Sequence, residues 1–197
     1  VKGVSGADCL RFASQNKIQE FNSKKEECLK HRSEHATTPL MLATANGHLT
    51  MMEYLLAQGA NVNDTDSHGD TALNYAVARN QLKAAQFLIE KGARVISQRQ
   101  DGISSLMQAL QFGTKEMALA LMSDSEAINQ PAEDGWTPLY FAIRRQDEGL
   151  LKELIRRGAC TNIFDTYRQT PLDFAKEVKW KTGIKMIEKS KPCRGSS

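Results

Sequence analysis

Four apolar triplets recur along this chain at a constant spacing of 33 residues: Met52, Leu55, Leu56; Ala85, Leu88, Ile89; Ala118, Leu121, Met122; and Leu151, Leu154, Ile155. Steps of three and four residues put each triplet on one side of a helix, with polar and charged residues on the other. Upstream of each lies a shorter apolar run opened by a hydroxyl residue. These starts are Thr38-Pro39-Leu40, Thr71-Ala72-Leu73, Ser104-Ser105-Leu106 and Thr137-Pro138-Leu139, and a fifth, Thr170-Pro171-Leu172, keeps the register. The hydroxyl can cap the free amides of a first helical turn, and a proline after it has no amide to leave unsatisfied. Ala43, Ala76, Ala109, Ala142 and Ala175 recur in phase, where a small side chain lets a partner helix approach closely. The pattern predicts pairs of short helices.

Between the two helices of a pair stand Gly47, Asn80, Gly113 and Gln146, positions suited to a left-handed turn, with Gln146 the poorest occupant. The second helix ends at Gly59, Gly92 and Gly158, with Ser125 in the same place in the third unit. A pair this short cannot bury its apolar face alone, so the units are expected to stack.

The segments "TPLMLATANGHLTMMEYLLAQGANVN", "TALNYAVARNQLKAAQFLIEKGARV" and "TPLYFAIRRQDEGLLKELIRRGACTN" resemble ankyrin repeats, and the resemblance covers residues 34–176. It implies an all-α fold, an ankyrin-repeat solenoid of stacked helix-turn-helix units with projecting β-hairpin-like loops. The expected divisions are a degenerate N-terminal helical cap over 1–37, repeats at 38–70 and 71–103, and a divergent repeat at 104–136. A further repeat at 137–169, a C-terminal capping repeat at 170–190 and a flexible tail at 191–197 complete them. Residues 8–31 read as helix in the cap, with Leu10, Ala13, Lys17 and Phe21 along one stripe and Phe12-Ala13 matching Leu42-Ala43. Loops near 64–69, 97–102, 130–135 and 163–168 are expected to project from one side.

Charge refines this picture. Lys176 to Ser197 holds seven basic and two acidic residues, a local +5 that leaves the rest of the chain at −2 within a total of +3. A near-neutral body with a basic tail is not a broad nucleic-acid-binding face. No apolar run reaches membrane-spanning length. The four cysteines, at 9, 28, 160 and 193, form neither a dense framework nor a CxxC pair. Reduced thiols in an intracellular protein, cytoplasmic or nuclear, are the expectation, with a secreted microbial effector as the other setting.

Candidate chemistry is sparse. Cys28, His31 and His35 share a helical face in a spacing that zinc could use, but a structural site needs a fourth ligand and only Cys9 is near in sequence. No phosphate loop, carboxylate pair or nucleophile elbow is present. Asp66, Asp101, Asp134 and Asp165 read as loop residues that bind local amides. The expectation is no enzyme, no cofactor and no metal.

The resemblance implies a binding surface on the fingers and the exposed side of the first helices. It assigns Met41, Asn74, Met107 and Tyr140 to the edge of that surface. The selected partner-binding residues are Arg79, Phe112, Trp136, Tyr140, Arg144, Arg145 and Tyr167, since aromatics and arginines most often carry interface energy. Trp136 folded back onto Tyr140 as packing is the alternative. The implied function is a protein-interaction scaffold, monomeric as a fragment, binding a peptide or folded protein of acidic character in its concave groove. Nucleotide or RNA binding by stacking and phosphate contacts, or targeting for a larger enzyme or adaptor, are the competing readings. The divergent third unit is expected to open first: amide exchange over residues 104–130 should precede that over 137–160, and the reverse order refutes the assignment.

Overall fold

The computed structural model describes residues 6–96, 99–191 and 193. Of the expected tail at 191–197 only Lys191 and Cys193 are described, and residues 97 and 98 of the 97–102 loop, like 1–5 of the cap, lie outside the described residues. Thirteen helices and no sheet are found among the described residues. The chain divides into two compact units, residues 1–99 and 100–197.

The N-terminal unit begins with three short helices, α1 (Gly6–Ser14), α2 (Ile18–Asn22) and α3 (Lys25–Lys30). The single helix expected here is broken because Asn16 adopts a left-handed backbone, φ 56°, in a polar stretch with nothing to bury. Cys9, Ala13, Phe21 and Cys28 face inward, whereas Lys17 of the expected stripe is exposed. Two pairs follow: α4 (Pro39–Ala45) with α5 (Leu49–Ala57), and α6 (Ala72–Ala78) with α7 (Leu82–Glu90). Helix α4 packs on α1, α5 and α6. Ala43, Ala76 and the first two residues of each triplet are buried, and Leu56 and Ile89 half-buried, as the periodicity requires. Across the cap, the Thr50 hydroxyl donates to the Asn16 side chain (3.0 Å) and the Tyr54 hydroxyl to that of Asn22 (2.7 Å).

The C-terminal unit holds α8 (Ser105–Phe112) with α9 (Lys115–Leu121), α10 (Pro138–Arg145) with α11 (Glu148–Arg156), and α12 (Pro171–Glu177) with α13 (Lys181–Glu188). Helix α10 packs between α8 and α12, while α11 lies against α9 and α13. The Ser104 and Thr170 hydroxyls accept the amides of Met107 and Asp173, both at 3.2 Å. The Thr137 hydroxyl, expected to cap α10, is buried without such a partner.

Loops between pairs fold into fingers with one repeated turn. In each, a carboxylate takes local amides: Asp66 those of His68 and Asp70, Asp101 that of Ile103, Asp134 that of Trp136, Asp165 those of Tyr167 and Gln169. Adjacent fingers are joined by amide-to-carbonyl bonds, Ser67 to His35, Glu133 to Asp101 and Thr166 to Asp134. One finger position is left-handed throughout: Ala36, Gly69, Gly102, Gly135 and Arg168, at φ 57 to 83°.

The third unit departs from expectation. Ser125 is not left-handed; α9 stops after seven residues, and the Asp124 carboxylate takes the amides of Glu126 and Ala127. Gly113, too, is extended (φ −84°, ψ 175°). The cysteines also depart. Cys9 is bonded to Cys28 and Cys160 to Cys193, so the expected free thiols are disulfides, and the tail is fastened at Cys193. Closing loops of 19 and 33 residues is worth roughly 3–4 kcal/mol each by the chain-entropy relation.

The left-handed finger position tests this architecture. A Cβ on Gly135 would lie 2.7 Å from Asp165 Cα and 3.0 Å from Asp165 C, so Gly135→Ala should lower stability by about 2–4 kcal/mol. Arg168→Gly should raise it by about 0.5–1 kcal/mol, as the relieved backbone outweighs the added freedom of the unfolded chain. Urea unfolding midpoints check both signs.

Candidate functional site

The finger at 130–136 and the helix after it build the best-defined surface of the C-terminal unit. Gly135 (φ 82°) turns the chain, the Asp134 carboxylate holds the Trp136 amide, and Thr137-Pro138 starts α10. Trp136 is half-buried. Its ring stacks on Tyr140 (centroids 5.4 Å, 17° between planes), lies 4.7 Å from Phe174 and meets the edge of Phe141 at 5.7 Å. One side of the indole is therefore packing. The Arg144 guanidinium stands 5.9 Å from the ring centroid, an exposed cation–π contact.

Tyr140, expected at the surface, is 0% exposed. Its hydroxyl lies 2.5 Å from the Gln169 carbonyl and 3.0 Å from that of Ile163, so it braces the two sides of the next finger from within. Burial, aided by the charge of Asp165, pushes the phenol far above its ordinary range. Met41, Asn74 and Met107, placed by register at the same edge, are likewise buried. The Asn74 carbonyl accepts the Thr71 amide (3.0 Å), which is why a polar residue is tolerated there. These positions lie one step too far around the helix to face solvent.

Arg145 also has an internal task. Its Nη1 donates to the carbonyls of Gly113 (2.7 Å) and Leu110 (3.3 Å), groups left unpaired at the end of α8. Arg157 does the same for Met122 after α9, at 2.6 Å. Beside it, hydrogen bonds from Arg156 and Arg157 hold the Glu153 carboxyl down at about 2. Large apolar exposure is concentrated elsewhere: Phe112 is 78% exposed at the end of α8, Tyr167 82% and Phe164 60% on the last finger. Phe164 escaped the sequence reading, although its equivalents, Thr65 and Pro131, are not aromatic. Arg79 is exposed at the end of α6 in the N-terminal unit.

Other surfaces offer less. Cys28 of the Cys28, His31, His35 set is bound to Cys9, His31 ends α3, and among the described residues no group of three or more His, Cys, Asp or Glu could hold a metal. In the N-terminal unit, Arg99 bonds both Asp70 carboxylate oxygens (2.7 and 2.9 Å), bracing one finger against the next. An open groove of about 790 Å³ runs between α11 and α13, lined by Lys152, Ile155, Met186 and Lys189 among others. Among the described residues no helix is long and apolar enough to cross a membrane.

Helix pairs in constant register, joined by carboxylate-clamped fingers, define a helical repeat protein. A family model of ankyrin repeats (3 copies) matches residues 8–99 and 100–185, and the chain belongs to the ankyrin repeat family, generally one of protein–protein interaction modules. A stretch of 62 residues is 36% identical to ankyrin repeat protein FPV230 of Fowlpox virus (strain NVSL). That stretch is 32% of this chain and 33% of the viral protein, so the match spans about a third of that relative. Among solved structures, a chain from the complex of Bd0816 predatory endopeptidase with immunity protein Bd3460, from Bdellovibrio bacteriovorus, aligns with a TM-score of 0.77. It is 28% identical, and the alignment covers 93% of this chain and 97% of that chain.

Packing and exposure separate the aromatic residues by experiment. Trp136→Ala should cost about 2–4 kcal/mol of folding stability, somewhat less than truncation of a fully buried tryptophan. Phe112→Ala and Tyr167→Ala should stay within about 0.5 kcal/mol of the parent. Equilibrium denaturation of the three variants measures this.

Proposed function

We propose that this protein binds a folded protein through the exposed aromatics and Arg144 of its C-terminal unit, and that it acts by occupying its partner. The observation that carries the reading is the exposure of Phe112, Phe164 and Tyr167 in a unit that otherwise packs its aromatic rings inward. Large rings held on braced turns lose little freedom on binding, so they contribute more than flexible side chains of equal area. Arg144, its guanidinium over the Trp136 ring, has donors to offer a carboxylate. This favours an acidic patch on the partner.

The structural neighbour supports a more specific form of the reading. The matched chain comes from a complex of an endopeptidase with an immunity protein. We propose the same kind of task here, in which the repeat protein restrains an enzyme made by the same cell. An RNA-binding reading is weaker, because Arg145, expected to meet phosphate together with Arg144 and the Lys-rich tail, is already bonded to backbone carbonyls.

Capture with the full chain identifies the partner, and titration calorimetry then compares the parent with Phe112→Ala/Tyr167→Ala and with Arg144→Ala. The aromatic double variant should weaken binding by about 30-fold or more, the loss of a dominant contact pair. Unchanged affinity removes this surface from consideration. Retention of labelled RNA at low salt, lost with Arg144→Ala, would favour the nucleic-acid reading.

A further inference from the structure

We infer that this protein works in a thiol-oxidising compartment, where Cys9–Cys28 and Cys160–Cys193 form as structural disulfides that its two end caps require. All four cysteines of the chain are used, two in each bond. Their Cα atoms are 5.0 and 5.2 Å apart, within the span a disulfide bridges without backbone movement.

The caps explain the need. Helices α2 and α3 have five and six residues, far below the length at which a helix persists alone. The buried apolar side chains of residues 6–30 are Cys9, Ala13, Phe21 and Cys28, so the two cysteines make up half of this small core. A domain piece with so little to bury commonly depends on a covalent link. Paired thiols in its place would leave Phe21 and Ala13 to hold α2 and α3 on α1, the helix that packs on α4.

The other end follows the same logic from a different structure. Asn63, Asn129 and Asn162 each clamp the backbone one unit on: their side chains accept the amides of Arg94, Cys160 and Cys193 and donate to the carbonyls of Gly92, Gly158 and Cys193. Cys193 thus occupies the register position of Cys160, 33 residues later. The bonds that hold it to Asn162 are long, 3.2 Å each way, and the disulfide makes the attachment permanent. It also fixes the segment after α13, which buries Ile187 and has Trp180 at its start.

Each bond forms by exchange with a disulfide-carrying oxidant: two S–H bonds break, one S–S bond forms, and two electrons and two protons pass to the oxidant as its dithiol. Such bonds persist where thiols are kept oxidised and are rare where glutathione and thioredoxin keep them reduced. Any partner of the aromatic surface must be met in the same compartment, but the inference stands without that surface.

The test begins with the protein from its own cells, fractionated by compartment and alkylated under denaturing conditions without reductant. Peptide mapping should show Cys9 linked to Cys28, Cys160 linked to Cys193 and no alkylated cysteine. Four alkylated cysteines, a different pairing, or recovery of reduced protein in the cytosolic fraction overturns the inference. The purified chain should lose roughly 15–25 °C of thermal midpoint on reduction, and Cys9→Ala/Cys28→Ala should lose about half as much. If that variant does not fold, reduction of the parent alone decides, and an unchanged midpoint refutes the need for the bonds.

Discussion

Helices of seven to nine residues cannot bury an apolar side by themselves, and every other feature of this protein answers that constraint. Each pair in the interior of a unit has a neighbour to cover it, so alanines in close contact and leucine triplets suffice. Residues 6–30 bury four apolar side chains of their own, Cys9, Ala13, Phe21 and Cys28. There the protein uses a broken helical cap and a covalent link, and a second link ties Cys193 to Cys160, in the places where hydrophobic burial is least able to do the work. The stacking rule and the disulfides are thus one solution, applied first with and then without enough apolar surface.

The fingers carry the same economy into loops. A carboxylate that satisfies two amides of its own turn, and an amide that reaches the carbonyl of the preceding finger, fix a backbone that has no sheet to belong to. Tyr140 adds an internal brace, its ring buried and its hydroxyl between two carbonyls of one finger. Side chains displayed beyond such a frame, Phe164 and Tyr167 among them, are presented on a surface already ordered before any partner arrives.

Much of this was legible in the sequence, because register reports which side of a helix a residue occupies. The Thr-Pro-Leu starts, the packed alanines, the inward triplets and the turn carboxylates all follow from spacing. What register does not report is where a long side chain ends. Arg144 and Arg145 are neighbours in a helix, yet one lies over an indole while the other reaches back to the end of α8. Tyr140 reads as exposed until its hydroxyl is seen to have partners inside. The exposure of Phe164 was missed because its position in the loop, unlike that of Tyr167, was not among those that the resemblance assigns. The cysteine pairs escaped for a different reason: Cys9 and Cys28 come together through breaks in a stretch that reads as one helix, and Cys193 through continuation of the register past the last apolar landmark.

Both tryptophans, Trp136 and Trp180, lie in the C-terminal unit, and the N-terminal unit carries only Tyr54 and Tyr75 as phenolic chromophores. The protein's intrinsic fluorescence is therefore a local signal. Emission excited at the red edge of the absorption band belongs to one unit, whereas far-ultraviolet dichroism sums the helices of both. The indole of Trp136, stacked on a phenol with a guanidinium above it, gives that emission a direct sensitivity to whatever approaches the candidate surface. The chain contains its own optical probe in the unit that carries the proposed surface, and no tryptophan reports from the other unit.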